Sequence, residues 1–151
     1  MLKKLVQTRD DALLTVLRIT LGVVMFPHGA QKVLGWFGGG GIGGTIGFFN
    51  DALGIPAVLT VLVMMAEFFG AIGLIAGAFS RIAASGIIAV MLGAVIMVHL
   101  PNGFFMNWTG QQAGEGFEFH IVVVAIAAIL VWKGSGAASV DRSLAEKLPA
   151  A

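Results

Sequence analysis

A handful of ionisable side chains stand in this sequence where an apolar chain tolerates them least. Arg18 and Glu67 fall inside long apolar stretches, while His28, Lys32, His99, Glu118 and His120 fall at the ends of such stretches. Charged groups held in hydrocarbon are costly and become functional candidates by default. Imidazoles and carboxylates together can hold and relay protons to a quinone head group, whose carbonyls need donors on reduction. The same groups can ligate zinc, and a histidine pair can ligate haem. No HxxH or HxxxH spacing occurs, so no single helix offers a two-histidine metal site. Quinone, metal and haem thus all stay open as ligands on the residues alone, with no metal ligands assigned.

These residues need elements that cross lipid. Apolar residues make up 58% of the 151 positions and charged residues 11%. Soluble domains carry about 25% charged residues, so most of this surface cannot face water. A mean hydropathy of +0.95 agrees. A span needs about 20 mostly apolar residues. Residues 12–34, 55–79 and 82–100 qualify directly. The last apolar run, 119–132, is too short, so the fourth span is expected to begin near Ala113 and to draw Glu115, Glu118 and His120 into its outer end. Residues 133–151 then form a polar tail. The expectation is an all-α membrane protein, a single domain over 1–151 built as an antiparallel bundle of four transmembrane helices.

Lys3, Lys4, Arg9, Arg81, Lys133, Arg142 and Lys147 lie on one side of these spans, and the two other connections carry no Lys or Arg. The positive-inside bias places both termini and Arg81 in the cytoplasm. Trp36 and Trp108 then fall at the outer interface and Trp132 at the inner one, as an aromatic belt requires. Ile46, Phe49 and Leu53 recur at helical spacing after a glycine-rich stretch, which predicts a short interfacial helix in the first outer connection. Arg9-Asp10-Asp11 ahead of the first apolar run, and no small-residue cleavage site after it, argue against a cleaved signal peptide.

Small residues mark packing faces: Ala66, Gly70, Gly73 and Gly77 on the second span, Ser85, Ala89 and Gly93 on the third. At ~1.5 Å per residue, Arg18 lies about 10 Å above the inner boundary and Glu67 about 20 Å above it. An extended arginine reaches most of that gap, so Arg18 and Glu67 are expected to form an ion pair between the first two spans. Pro27 is expected to kink the first helix, free a carbonyl and open a cavity beside His28.

Arg18-Ile-Thr-Leu-Gly22 followed by Phe26-Pro27-His28-Gly29-Ala-Gln-Lys32 resembles the first-helix signature of the DoxX family. Glu67 with Gly70, Gly73, Gly77 and Arg81 is similar to its second and third helices. Phe117-Glu118-Phe-His120 and the Gly134…Ser139-Val-Asp141 tail are similar to its last helix. The resemblance implies a small four-helix inner-membrane protein of a family linked to membrane oxidoreductase complexes and quinone. It places Arg18, His28, Lys32, Glu67 and Glu118 on matching motif positions. The chain has no cysteine, which removes thiol and iron–sulfur chemistry and makes independent thiosulfate oxidation unexpected.

The leading expectation is a quinone-interacting subunit of a membrane oxidoreductase system, with His28, Lys32, Glu67, His99, Glu118 and His120 as ligand-binding candidates. Whether the chain is itself catalytic is left open. A non-catalytic scaffold or assembly factor for a redox partner is the alternative, suggested by the glycine loop, the short interfacial helix and the polar stretch Ser139–Lys147; a small-molecule transporter is the third. Expected partners are membrane lipids, a soluble or membrane redox protein and a second copy of the chain. With a net charge of +1 and no basic run beyond Lys3-Lys4, no nucleic acid is expected.

Overall fold

The computed structural model describes residues 2–149. Among the described residues there are helices and no strand. Helix α1 is Leu2–Val6, α2 Ala12–Val33, α3 Gly41–Leu53 and α4 Ala57–Ala76. Helix α5, Ser80–Ala94, runs on through a π-helical turn at Val95–His99 and a 3-10 turn at Leu100–Asn102. Helix α6 is Glu118–Lys133 and α7 is Val140–Lys147. The four long helices close a ring in which α2 meets α4, α4 meets α5, α5 meets α6 and α6 meets α2. Successive long helices run antiparallel, which gives the bundle two distinct ends. One, the tail end, carries α1 and α7; the other, the loop end, carries α3 and residues 103–117.

Three helices are long and apolar enough to cross a membrane: Ala12–Val33, Ala57–Ala76 and Ser80–Asn102. Their outward faces are apolar too, with Val58 73% and Ile96 69% exposed, as lipid contact demands. The core between them is built from Leu21, Met25, Leu74, Ile87, Met91, Val123 and Leu130. The expected start of the fourth helix near Ala113 is not observed. Helix α6 begins at Glu118, because Phe117 and Glu118 donate their N–H groups to the carbonyls of Gly103 and Phe104 instead of continuing a helix backward. Its 16 residues rise about 24 Å.

The tail end is held by two buried ionisable groups. Arg18 is 1% exposed and Asp141 is 1% exposed. The Arg18 guanidinium donates to four carbonyls: Leu74 (2.5 Å), Ile75 (2.6 Å), Ser135 (2.9 Å) and Ala138 (2.6 Å). Leu74 and Ile75 are among the last carbonyls of α4, at the negative end of the helix dipole, and the Leu74 carbonyl also accepts from the Gly77 N–H at 3.2 Å. Asp141 does the converse for α5. Its carboxylate accepts from the backbone N–H of Phe79 (2.6 Å) and Ser80 (3.0 Å), and Ser135 Oγ also bonds to it.

The expected pair between Arg18 and Glu67 therefore does not form. Helix termini present carbonyls nearer to Arg18 than any carboxylate inside the span, and the arginine turns toward them. The polar stretch Ser139–Lys147 is likewise no free arm. The Asp141 N–H donates to the Gly77 carbonyl at 2.8 Å, and Arg142 pairs with Asp10 and Glu146.

Gly77 is where these strands of the tail end meet. Its φ of +71° is a conformation that L side chains rarely adopt, and a Cβ there would lie 2.5 Å from Ser139 Cβ and 2.9 Å from Arg18 Cζ. Gly77→Ala is expected to cost at least about 1–3 kcal/mol from backbone strain alone. Gly43→Ala, on an exposed face of α3 with open space around it, should be neutral or slightly stabilising. Thermal unfolding of both variants in the same micelle checks this; equal midpoints would contradict the account.

Candidate functional site

At the loop end a cavity of about 960 Å³ opens between α2, α3, α4, α5 and α6. Most of its wall is apolar, with Met25, Leu59, Leu62, Val90, Met91 and Phe119 among the lining residues. Its polar side chains are few: His28, Lys32, Glu67, His99, Glu115 and His120. Five of the six ligand-binding candidates are thus brought together from four helices.

The closest contact is the pair Lys32 Nζ to Glu67 Oε2 at 2.5 Å, with side-chain exposures of 21% and 5%. It is an ion pair by distance rather than a well-directed hydrogen bond. Lys32 also reaches the His28 carbonyl at 3.4 Å. The pair forms because α2 and α4 touch through backbone at this level. A Cβ at Gly29 would lie 2.5 Å from Phe68 Cα and 2.7 Å from the Glu67 carbonyl carbon. Gly22, two turns earlier, meets Ala71 and Ile75 in the same way. Close approach of α2 to α4 thus runs through Gly22 and Gly29, whereas an added Cβ at Gly70 would find ordinary contacts with Ala83 at 3.8–3.9 Å. Helix α2 continues through Pro27. Thr45 of α3 donates to the Lys32 carbonyl at 3.3 Å, which ties the end of α2 to the helix covering the cavity.

Two imidazoles face each other across the α5–α6 seam. The ring centroids of His99 and His120 are 4.2 Å apart with planes at 46°. His99 sits on the π-helical turn, a local widening that is often found at functional sites. Its Nδ1 lies 2.8 Å from the Glu115 carbonyl, which can only accept, so Nδ1 carries the proton and Nε2 is the free ring position. His120 stands in the first turn of α6 and is 6% exposed; its Nδ1 is buried and has no hydrogen-bond partner in the protein. A buried polar atom left unpaired in a native fold calls for an explanation, and this one belongs to a residue of the cavity wall. The His28 ring lies 6.3 Å from the Phe119 ring, which adjoins His120 at 5.7 Å. Among the described residues no three His, Asp or Glu side chains group as a metal site requires.

Glu118 does not join the cavity. Its Oε1 accepts from the Met106 N–H (2.9 Å) and from Trp108 Nε1 (3.3 Å), so it secures the loop before α6. The α6 start at residue 118 puts this carboxylate on loop amides rather than in a continuing helix. Glu115 takes the cavity position instead, with its carboxylate fixed by the Asn107 N–H at 2.6 Å. Sequence pattern alone carried no signal for that exchange, since both acids precede the clean apolar run.

The profile of the DoxX family matches residues 13–100, which hold Arg18, His28, Lys32, Glu67 and His99. The chain belongs to the DoxX family. It is also 29% identical over 92 residues to the Bacillus subtilis (strain 168) protein named "Putative oxidoreductase CatD", a match covering 61% of this chain and 63% of that protein. The chain therefore spans less than two thirds of that relative's length. No solved structure matches. This DoxX-family chain carries its ion pair on the profile-matched helices α2 and α4, while His120 and Glu115 lie beyond the matched residues.

A buried pair leaves a stranded charge when one partner is removed, but little is lost when both become apolar. Lys32→Met and Glu67→Met are each expected to cost about 3–5 kcal/mol, and the double variant to recover most of that loss. Unfolding in a detergent titration measures the cycle. Additive losses in the double variant would show that the two side chains act independently.

Proposed function

We propose that this DoxX-family protein crosses a bacterial-type inner membrane four times, and that its loop-end cavity holds a quinone head group for a membrane oxidoreductase system. The observation that carries the reading is an apolar chamber of about 960 Å³ whose polar side chains are one ion pair, three histidines and Glu115. Ligand sites are mostly apolar with a few convergent polar groups, and a quinone ring with carbonyls on opposite edges has that same division. Lys32 and the imidazoles of His28 and His120 can donate to carbonyl oxygens, Glu67 holds Lys32 in place, and His99, whose proton sits on Nδ1, offers Nε2 as an acceptor to a bound hydroxyl. A bound quinone supplies the redox chemistry. The chain contributes orientation, an apolar shell and proton-carrying groups, with electrons coming from a soluble or membrane redox partner. The relative named as an oxidoreductase supports the same direction. The docked position of Ser139–Lys147 weakens one of the features that favoured a scaffold reading.

In this reading α6 completes the fourth span, α3 lies in the outer interface, and both termini are cytoplasmic. Besides the buried Arg18, seven basic residues cluster at the tail end, while Lys32 alone stands at the loop end. With no native cysteine, single-cysteine variants report topology directly. Asn50→Cys should react with a membrane-impermeant maleimide in spheroplasts and Glu146→Cys should react only after lysis. The opposite labelling, or labelling of both before lysis, overturns this topology.

Binding tests the site. A short-chain benzoquinone titrated into nanodiscs should bind saturably to the wild-type chain and about tenfold or more weakly to Lys32→Met/Glu67→Met, a loss near 1.4 kcal/mol. Arg142→Gln, in the tail, should bind as the wild type does. Absence of saturable binding, or equal binding by all three proteins, would refute the quinone site.

A further inference from the structure

At the tail end, the segment after α1, the start of α5 and the end of α6 enclose a second cavity of about 190 Å³. Its walls are Gln7, Thr8, Arg9, Arg81, Trp132 and Lys133. Three of these are cations and none is an acid. Among the described residues no carboxylate lies within ion-pair distance of any of the three. Asp10 is committed to Arg142, and Asp11 caps α2 by accepting from the Leu13 and Leu14 N–H groups. Arg81 donates to the carbonyls of Val131, Trp132 (2.8 Å) and Gln7 (3.0 Å), which fixes its guanidinium without neutralising it.

The walls are firmly placed. Thr8 Oγ1 accepts from the Gly136 N–H at 2.7 Å. Gly134, at φ +92°, packs so closely that a Cβ would lie 2.9 Å from the Gln7 carbonyl oxygen. Lys133 Nζ lies 3.5 Å from the Trp132 ring centroid, and Trp132 is 73% exposed at the last turn of an apolar helix. An exposed indole there is at home among lipid head groups. Three unpaired cations around a small polar cleft, beside an interfacial tryptophan, attract one kind of ligand: an oxyanion at head-group depth.

We propose that this cleft binds the phosphate oxyanion of an anionic membrane phospholipid, with Arg9 and Lys133 as the adjustable contacts and Arg81 as the fixed one. The inference is independent of the quinone site, which lies at the opposite end of the bundle. A free phosphate shares the same chemistry, so the test has two arms.

In the first arm the full-length protein is placed in zwitterionic nanodiscs doped with phosphatidylglycerol, and the anionic lipid it retains is read by native mass spectrometry. The wild type is expected to be enriched in phosphatidylglycerol over the bulk. Arg9→Gln/Lys133→Gln should lower that enrichment about tenfold or more. Lys4→Gln/Lys147→Gln removes the same charge from outside the cleft and should leave it unchanged. Both double variants keep the Arg81 contacts and should unfold at the wild-type temperature. Equal loss in both doubles would assign the effect to bulk charge and overturn the site. In the second arm inorganic phosphate is titrated in purely zwitterionic discs. Saturable phosphate binding that disappears only in Arg9→Gln/Lys133→Gln would uphold the oxyanion site and transfer its source to solution. No selective effect in either arm overturns the proposal.

Discussion

A guanidinium cannot be left bare in an apolar bundle, and the fold at the tail end is arranged around that requirement. Arg18 meets it with four carbonyls drawn from the end of α4 and from the loop after α6. One side chain on α2 thereby fixes where α4 stops and where the chain turns after α6. Asp141 completes the arrangement by supplying acceptors to the amides that open α5. Burying an arginine and an aspartate without pairing them directly works because helix ends offer partial charges of the needed sign. The alternative, an ion pair in low dielectric, carries a desolvation penalty that the attraction between the partners can fail to offset.

With the tail end closed by polar ligatures and the middle packed by Leu21, Met25, Leu74 and Leu130, open volume is left at the loop end. There α3 covers a chamber rather than packing into it. The backbone approach at Gly29 sets Lys32 on Glu67, and the widened turn at Val95–His99 sets His99 against His120. Polar groups at the two ends differ in setting. At the tail end Arg18 is met by backbone carbonyls and Asp141 by backbone N–H groups and the Ser135 hydroxyl, while Ser80 Oγ and Arg81 Nε are buried without a partner. At the loop end one ring nitrogen of His120 is likewise buried unpaired, and a charged pair fronts the larger cavity.

The first three long helices were legible from apolar runs, because crossing hydrocarbon demands length and little else. Residues 12–34 were expected and Ala12–Val33 is found; the DoxX signature in that stretch was legible as well. The common place of His28, His99 and His120 at outer helix ends was legible, whereas their meeting on one cavity depends on helix rotation and was left open by the pattern. What misled was depth without partners. Arg18 and Glu67 lie within reach along the membrane normal, but reach takes no account of carbonyls at a helix end or of a lysine one turn beyond a histidine. The start of α6 was misjudged for a related reason. Length alone asked for five more residues, whereas the amides of Phe117 and Glu118 had acceptors waiting in the preceding loop. Asp141 and Ser135 stayed invisible as buried groups, since a polar tail reads as solvated until its contacts are known.

The central claim is that the loop-end polar groups persist in oil because a redox guest meets them. The most direct measurement is native mass spectrometry of the protein extracted gently from its own membrane, under conditions that preserve phospholipid adducts. The account predicts one isoprenoid quinone per chain, released only at energies that also strip tightly held lipid. Phospholipid adducts without any quinone mass, in protein that remains folded, would contradict it.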